Sequence, residues 1–384
     1  MSRSVELLKD LIAWPTVSRT PNMALIESAR DILVAAGADC QIIAHESGER
    51  ANLYATIGPK DRGGVMLSGH TDVVPVEGQA WTKDPFALTQ EDGRFYGRGT
   101  ADMKGFVACA LAAAELAGNR TLKTPLHIAL SYDEEIGCVG VRSMIDMLEQ
   151  APIKPALCIV GEPTSMAVAT GHKGKMALQA DCHGREGHSA LAPFAMNALH
   201  LAAEFTTEAR TIQADIAENG HRDGDYDVPY TTMHVGMIHG GKQINIVPHH
   251  AELGFEFRYL AQDDPEALIN RAKEAAAKVV AEANDPDARI EITLRNDYPG
   301  LDTDKAAEAV TFVKSLTGAN GTIKVAFGTE GGLFDQKLGV PTVVCGPGSM
   351  NQGHKPDEFV SEEQLARCDE LMARLVDRLE VGVT

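Results

Sequence analysis

Residues Val65 to Pro75 read VMLSGHTDVVP. Three apolar residues, Val65, Met66 and Leu67, predict a buried strand, and Ser68-Gly69 then delivers His70 and Asp72 at its carboxyl end. Side chains alternate along an extended chain, so residues two apart point the same way. A metal-ligating imidazole needs its second ring nitrogen held, usually by a carboxylate or a carbonyl. One short segment therefore offers a ligand and a group to orient it. A polar loop after a buried strand would look the same in isolation, so the weight falls on whether other strands end alike.

They do. The run TPLHIALSY (124–132) predicts a strand that ends in Asp133-Glu134-Glu135, and Ala156 to Val160 predicts another that ends in Gly161-Glu162-Pro163. Helices are expected between them, over Phe106 to Leu116 and Val139 to Gln150. Strands alternating with helices give a mostly parallel α/β sheet, whose ligands sit beyond the carboxyl ends of the strands. The glycine-rich stretch YGRGTADMKG (96–105) is not a dinucleotide loop, because Asp102 stands where the third glycine of GxGxxG belongs.

From Met176 onward the pattern changes to strand, helix, two strands, helix, strand. The strands are expected at 176–184, 231–238, 245–259 and 289–295, and the helices at 197–216 and 265–284. That order is the split unit of ferredoxin-like domains, with an antiparallel four-stranded sheet. Residues 175–297 are thus expected to form an inserted α+β domain, entered through Gly171-His172-Lys173-Gly174, while 1–174 and 298–384 form the α/β domain. Helix Lys305–Leu316, strands near 324–326 and 340–345, and a final helix from the capping residue Ser361 complete the chain.

Composition narrows the partners. A formal net charge of −19 argues against nucleic acid, which demands clustered Lys and Arg. The amphipathic start SVELLKDLIAW lacks the unbroken apolar run of a signal peptide, and no stretch is apolar enough to cross a bilayer. The seven cysteines form no CxxC pair and read as reduced thiols of a cytoplasmic protein.

The candidate ligands are His70, Asp102, Glu135, Glu162 and His354, the last in the loop GPGSMNQGHKPDEF (346–359). Two imidazoles with three carboxylates suit zinc, with cobalt or manganese also able to use such a set. Five ligands are too many for one tetrahedral catalytic ion and fit two ions sharing one carboxylate. Glu134 and Glu135, adjacent on extended backbone, face opposite ways; one can coordinate while the other accepts a proton from the attacking water.

The segments GHTDVVP, GRGTADMKG, DEEIG, GEPT and GHKPDEF, in this order and with an inserted domain, resemble the di-zinc aminoacylase and carboxypeptidase superfamily, peptidase family M20. The likeness extends to WTKDPFALTQEDGRFYGRGTADMKG, IVGEPTS, GHKGK and YDVPYTTMHVGMIHGGKQINIVP. It implies that His70 and Glu162 hold one zinc, Glu135 and His354 the other, and that Asp102 bridges. It implies Asp72 as the support of His70, Glu134 as general base and then proton donor, and a cis peptide at Asp102-Met103. His188 is similar to the family's oxyanion-stabilising histidine on the inserted lid, which in relatives reaches the site from the partner of a homodimer. Asn245 and Arg258 resemble substrate-contacting lid residues, and Gly331 lies where backbone amides approach the substrate. Glu330 is expected to pair with a cationic substrate side chain. The implied substrate is a small N-acyl amino acid, foremost N2-acetyl-L-ornithine in arginine biosynthesis, with succinyl-diaminopimelate or a dipeptide as the alternative.

Overall fold

The computed structural model describes residues 2–383, which divide into two compact units: 2–171, 301–325 and 329–383 form the first, and 172–300 with 326–328 the second. Each is built around its own core.

In the first unit the strands run in the order Asp39–Ala44, Ala51–Ile57, Leu126–Ser131, Val65–His70, Leu157–Pro163, Thr342–Gly346, Ala169–His172, Leu301–Asp302. The central four pair in parallel, as the strand–helix alternation predicts, and antiparallel strands close the sheet beyond them. Val65–His70 and Leu126–Ser131 are buried along their whole length, the signature of strands covered on both faces. His70 lies opposite Ser131, so the segments that follow both strands leave the sheet at the same edge.

The alanine-rich helix Lys104–Gly118 supplies much of the cover, packing against Val65–His70 and against helices Arg3–Ile12, Met23–Ala35 and Glu362–Val381. Small residues allow it to approach the sheet closely. At Gly161 a β-carbon would fall 1.9 Å from the Phe106 ring, so only glycine lets strand and helix meet there, one residue before Glu162. Lys104 begins this helix with its ammonium fully buried, donating to the carbonyls of Leu11 at 3.0 Å and Trp14 at 2.7 Å. It thereby adds a second donor to carbonyls that also accept the Trp14 and Thr16 amides, tying the end of the first helix to the start of this one.

The second unit is a four-stranded antiparallel sheet in the order Thr232–Gly240, His250–Tyr259, Gly174–His183, Arg289–Tyr298. Helices Ala198–Asn219 and Pro265–Ala283 pack on it, with Leu201, Phe205, Leu253, Phe255, Phe257 and Val279 in the core. The βαββαβ order and the strand order are those of a ferredoxin-like fold. One expected element differs: the continuous strand over 245–259 is broken. Pro248 has no amide to give to a ladder, and the chain instead forms Ile246–Val247, paired with Gly187–His188, before the strand His250–Tyr259. Among the described residues no helix is long and apolar enough to cross a membrane.

Gly161→Ala is expected to destabilise the first unit by about 1–3 kcal/mol, the usual range for overpacking a filled core. Urea denaturation checks this, and a midpoint equal to that of the parent would contradict the packing described.

Candidate metal centre

The carboxyl edge of the parallel strands gathers all five candidate ligands. His70 ends its strand, Glu162 lies in Leu157–Pro163, Asp102 precedes helix Lys104–Gly118, Glu135 follows Leu126–Ser131, and His354 stands in the loop after Thr342–Gly346. They form two overlapping groups, His70–Asp102–Glu162 and Asp102–Glu135–His354, in each of which the ligand atoms lie within 4.8 Å of one another. Asp102 belongs to both. Its Oδ1 is 3.1 Å from His70 Nε2 and its Oδ2 is 3.1 Å from His354 Nε2, one oxygen for each imidazole. Glu162 Oε1 approaches His70 Nε2 at 3.5 Å, and Glu135 Oε2 approaches His354 Nε2 at 3.0 Å. The Asp102–Met103 peptide bond is cis.

The proton positions test whether this set suits a cation. His70 Nδ1 lies 2.9 Å from the Asp72 carbonyl oxygen, which can only accept, so Nδ1 carries a proton and in the neutral imidazole Nε2 presents a lone pair. That lone pair faces two carboxylate oxygens. Acceptors converging on acceptors are favourable only with positive charge between them. Left to themselves the groups would take up protons: Asp102 and Glu135 push His354 up to about 10, and burial together with Asp102 pushes Glu135 up to about 7. Burial and Asp102 likewise hold Glu162 well above the ordinary carboxylate range. Carboxylates with neutral imidazoles at this spacing are the donor set of borderline divalent ions, so the residues fit the metal pair that the sequence implies.

Asp72 supports His70 with both its carbonyl and its carboxylate. The carbonyl oxygen is 2.9 Å from His70 Nδ1, and the carboxylate Oδ1 is 3.6 Å from the same nitrogen. The carboxylate also accepts the amides of Glu134 at 3.0 Å and Glu135 at 3.3 Å, and the Ser18 hydroxyl at 2.7 Å. It thus sets the turn that aims both glutamates. Asp133 anchors the same turn from behind, accepting the Arg19 amide at 2.6 Å and pairing with Arg50. Glu134 itself is partly buried, and Cys138 Sγ donates to its Oε1 at 3.3 Å. Burial holds the Glu134 carboxyl well above the ordinary range.

Glu330 is buried beside the site, within electrostatic reach of His70, Asp72 and Glu134. It is 1% exposed, and its Oε2 accepts from Ser68 at 3.3 Å at the sheet edge. The Gly331 amide is already used, donating to Thr329 Oγ1 at 2.9 Å. His188, Asn245 and Arg258 belong to the second unit. His188 and Asn245 are neighbours there, since the short ladder pairs His188 with Ile246 and Ser189 donates to the Asn245 carbonyl at 3.0 Å. The Arg258 guanidinium is engaged by Glu256 at 3.0 Å and by the Tyr298 hydroxyl at 3.1 Å.

The model of peptidase family M20/M25/M40 matches residues 66–378. The chain belongs to that family. Curated relatives agree over nearly the whole length: acetylornithine deacetylase of Pasteurella multocida (strain Pm70) is 34% identical, covering 98% of each chain, and acetylornithine deacetylase of Myxococcus xanthus is 35% identical, covering 96% of this chain and 95% of its own. Among solved structures, an M20 family metallo-carboxypeptidase from Sulfolobus solfataricus superposes with a TM-score of 0.79 at 20% identity, covering 100% of both chains. The YXEP protein of Bacillus subtilis, described as a dinuclear metal binding peptidase of the family, gives 0.70 at 17% identity over 99% of this chain and 98% of its own. This M20 chain is a hydrolytic enzyme acting on small molecules.

Asp72→Asn leaves one acceptor where the Glu134 and Glu135 amides need two. We expect hydrolytic kcat to fall about 10–100-fold, the usual effect of removing a group that orients metal ligands, while metal content per chain stays unchanged. A kcat within twofold of the parent would contradict this role.

Proposed function

We propose that this enzyme removes the N-acetyl group of N2-acetyl-L-ornithine, giving acetate and L-ornithine in arginine biosynthesis, with two zinc ions held by the five converging residues. The observation that carries the catalytic part is Asp102, placed with one oxygen toward each imidazole. The substrate is supported by the full-length relatives, which are named for that reaction.

In this reading His70 and Glu162 hold one ion, Glu135 and His354 the other, and Asp102 lies between. When bound, such a pair polarises the scissile carbonyl and makes an attacking water acidic enough to ionise near neutral pH. Cobalt or manganese can serve the same ligands. Glu134 is the proton carrier. Cys138 occupies its Oε1, so we assign the proton of the attacking water to Oε2, from which it passes to the leaving nitrogen. Asp72 keeps Glu134 on the reacting side and Glu135 on the ligand side of the turn.

The second unit is proposed as the lid, supplying His188 to the oxyanion and Asn245 and Arg258 to the substrate. Arg258 would contribute its planar fork to the α-carboxylate by exchanging the Glu256 or Tyr298 contact. A homodimer is proposed through the edge strand Thr232–Gly240, which leaves Met237 and Ile238 exposed. The seven cysteines are free thiols, six of them buried, which supports a reducing, cytoplasmic setting.

The test compares kcat/KM of the zinc-loaded enzyme on N2-acetyl-L-ornithine and N-succinyl-LL-diaminopimelate, with Glu134→Ala beside it. We expect a preference for the acetyl substrate and a loss of at least about 100-fold in the variant, within the usual worth of a general base. Preference for the succinyl substrate would keep the chemistry and overturn the substrate.

A further inference from the structure

Three backbone amides of the loop that carries Asp102 point at one oxygen atom. Glu358 Oε1 accepts from Gly99 at 3.1 Å, Ala101 at 3.0 Å and Asp102 at 3.1 Å. Its other oxygen, Oε2, accepts from the Arg98 guanidinium at 2.5 Å. Both side chains are 1% exposed, so the pair is wholly desolvated. The same guanidinium donates to Gln79 Oε1 at 2.6 Å, and Gln79 Nε2 donates to the His354 carbonyl at 3.0 Å. A chain of hydrogen bonds therefore runs from the Asp102 amide through Glu358, Arg98 and Gln79 to His354.

A buried ion pair is a poor device for stability alone, since desolvation consumes much of its Coulomb gain. What it does well is fix geometry, because bonds to an ionised carboxylate are short and directional. The geometry fixed here is specific. Glu358 is four residues beyond His354, and its own carbonyl accepts the Gly97 amide at 2.9 Å. One residue thus clasps the 97–102 loop by backbone and side chain together. His354 also needs holding, since its φ of 62° lies in the left-handed region that a residue with a β-carbon seldom adopts.

We propose that Glu358 is a positioning residue of the metal centre. It acts on Asp102 through the loop amides, and on His354 by way of Arg98 and Gln79, setting the separation of two ligands from different loops. This rests on the metal reading given above. Glu358→Gln keeps the shape but sets an amide group against either Arg98 or the loop amides, donor against donor.

The experiment measures zinc dissociation constants by chelator competition in the parent, Glu358→Gln and Gln79→Ala. The melting temperature of each metal-stripped protein is recorded beside them. We expect Glu358→Gln to bind zinc about 10–100-fold more weakly, and Gln79→Ala, which reaches His354 alone, to weaken one of the two bound ions. A folded Glu358→Gln with zinc affinity within twofold of the parent overturns the proposal, even if its melting temperature falls. Should Glu358→Gln fail to fold, Gln79→Ala decides, and unchanged affinity for both ions overturns it. A parent that binds no zinc overturns the metal reading and this inference with it.

Discussion

Three carboxylates and two imidazoles converge within a few ångströms at the end of a buried sheet, with Asp102 shared between the imidazoles. Such an arrangement is repulsive on its own, because buried like charges lack both water and partners. It becomes favourable when two divalent ions supply the missing charge. The rest of the first unit can be understood as a frame that brings these groups together and withstands their repulsion. Parallel strands deliver His70, the 133–135 turn and Glu162 to one edge, and close packing at Gly161 lets helix Lys104–Gly118 seat Asp102 beside them.

Holding the loops is the harder problem, since three of the five ligands, Asp102, Glu135 and His354, stand on irregular backbone. Carboxylates that bind no metal perform much of this work. Asp72 fixes the amides of Glu134 and Glu135, Asp133 ties the same turn to Arg19 and Arg50, and Glu358 gathers the amides of 99, 101 and 102. The acidic excess of the chain is therefore partly internal and structural. Counting acidic residues does not distinguish ligands from braces, because both are buried carboxylates near the same edge.

That ambiguity explains what could be read from the sequence. The strands, the helices, the inserted βαββαβ unit and the five converging residues were legible, because unbroken apolar runs ending in polar residues mark strands that deliver side chains to one sheet edge. The break at Pro248 was legible in principle, since proline cannot donate to a ladder, but the apolar alternation around it masked the interruption. A histidine–carboxylate spacing of two does not reveal that the Asp72 carbonyl shares the hold on His70 with the carboxylate. Nor does a glycine-rich loop reveal that Glu330 lies buried against Ser68. Glu358 gave no signal beyond its place in the GHKPDEF segment, because its partners are backbone amides more than 250 residues away in sequence.

The central claim is that one carboxylate serves two ions. The direct measurement is the zinc content of the purified chain and of Asp102→Ala and Glu162→Ala, by elemental analysis after equilibrium dialysis at fixed free zinc. The account predicts two ions in the parent, loss of both in Asp102→Ala, and retention of one in Glu162→Ala. An Asp102→Ala protein that keeps one ion at parental affinity would contradict the shared carboxylate.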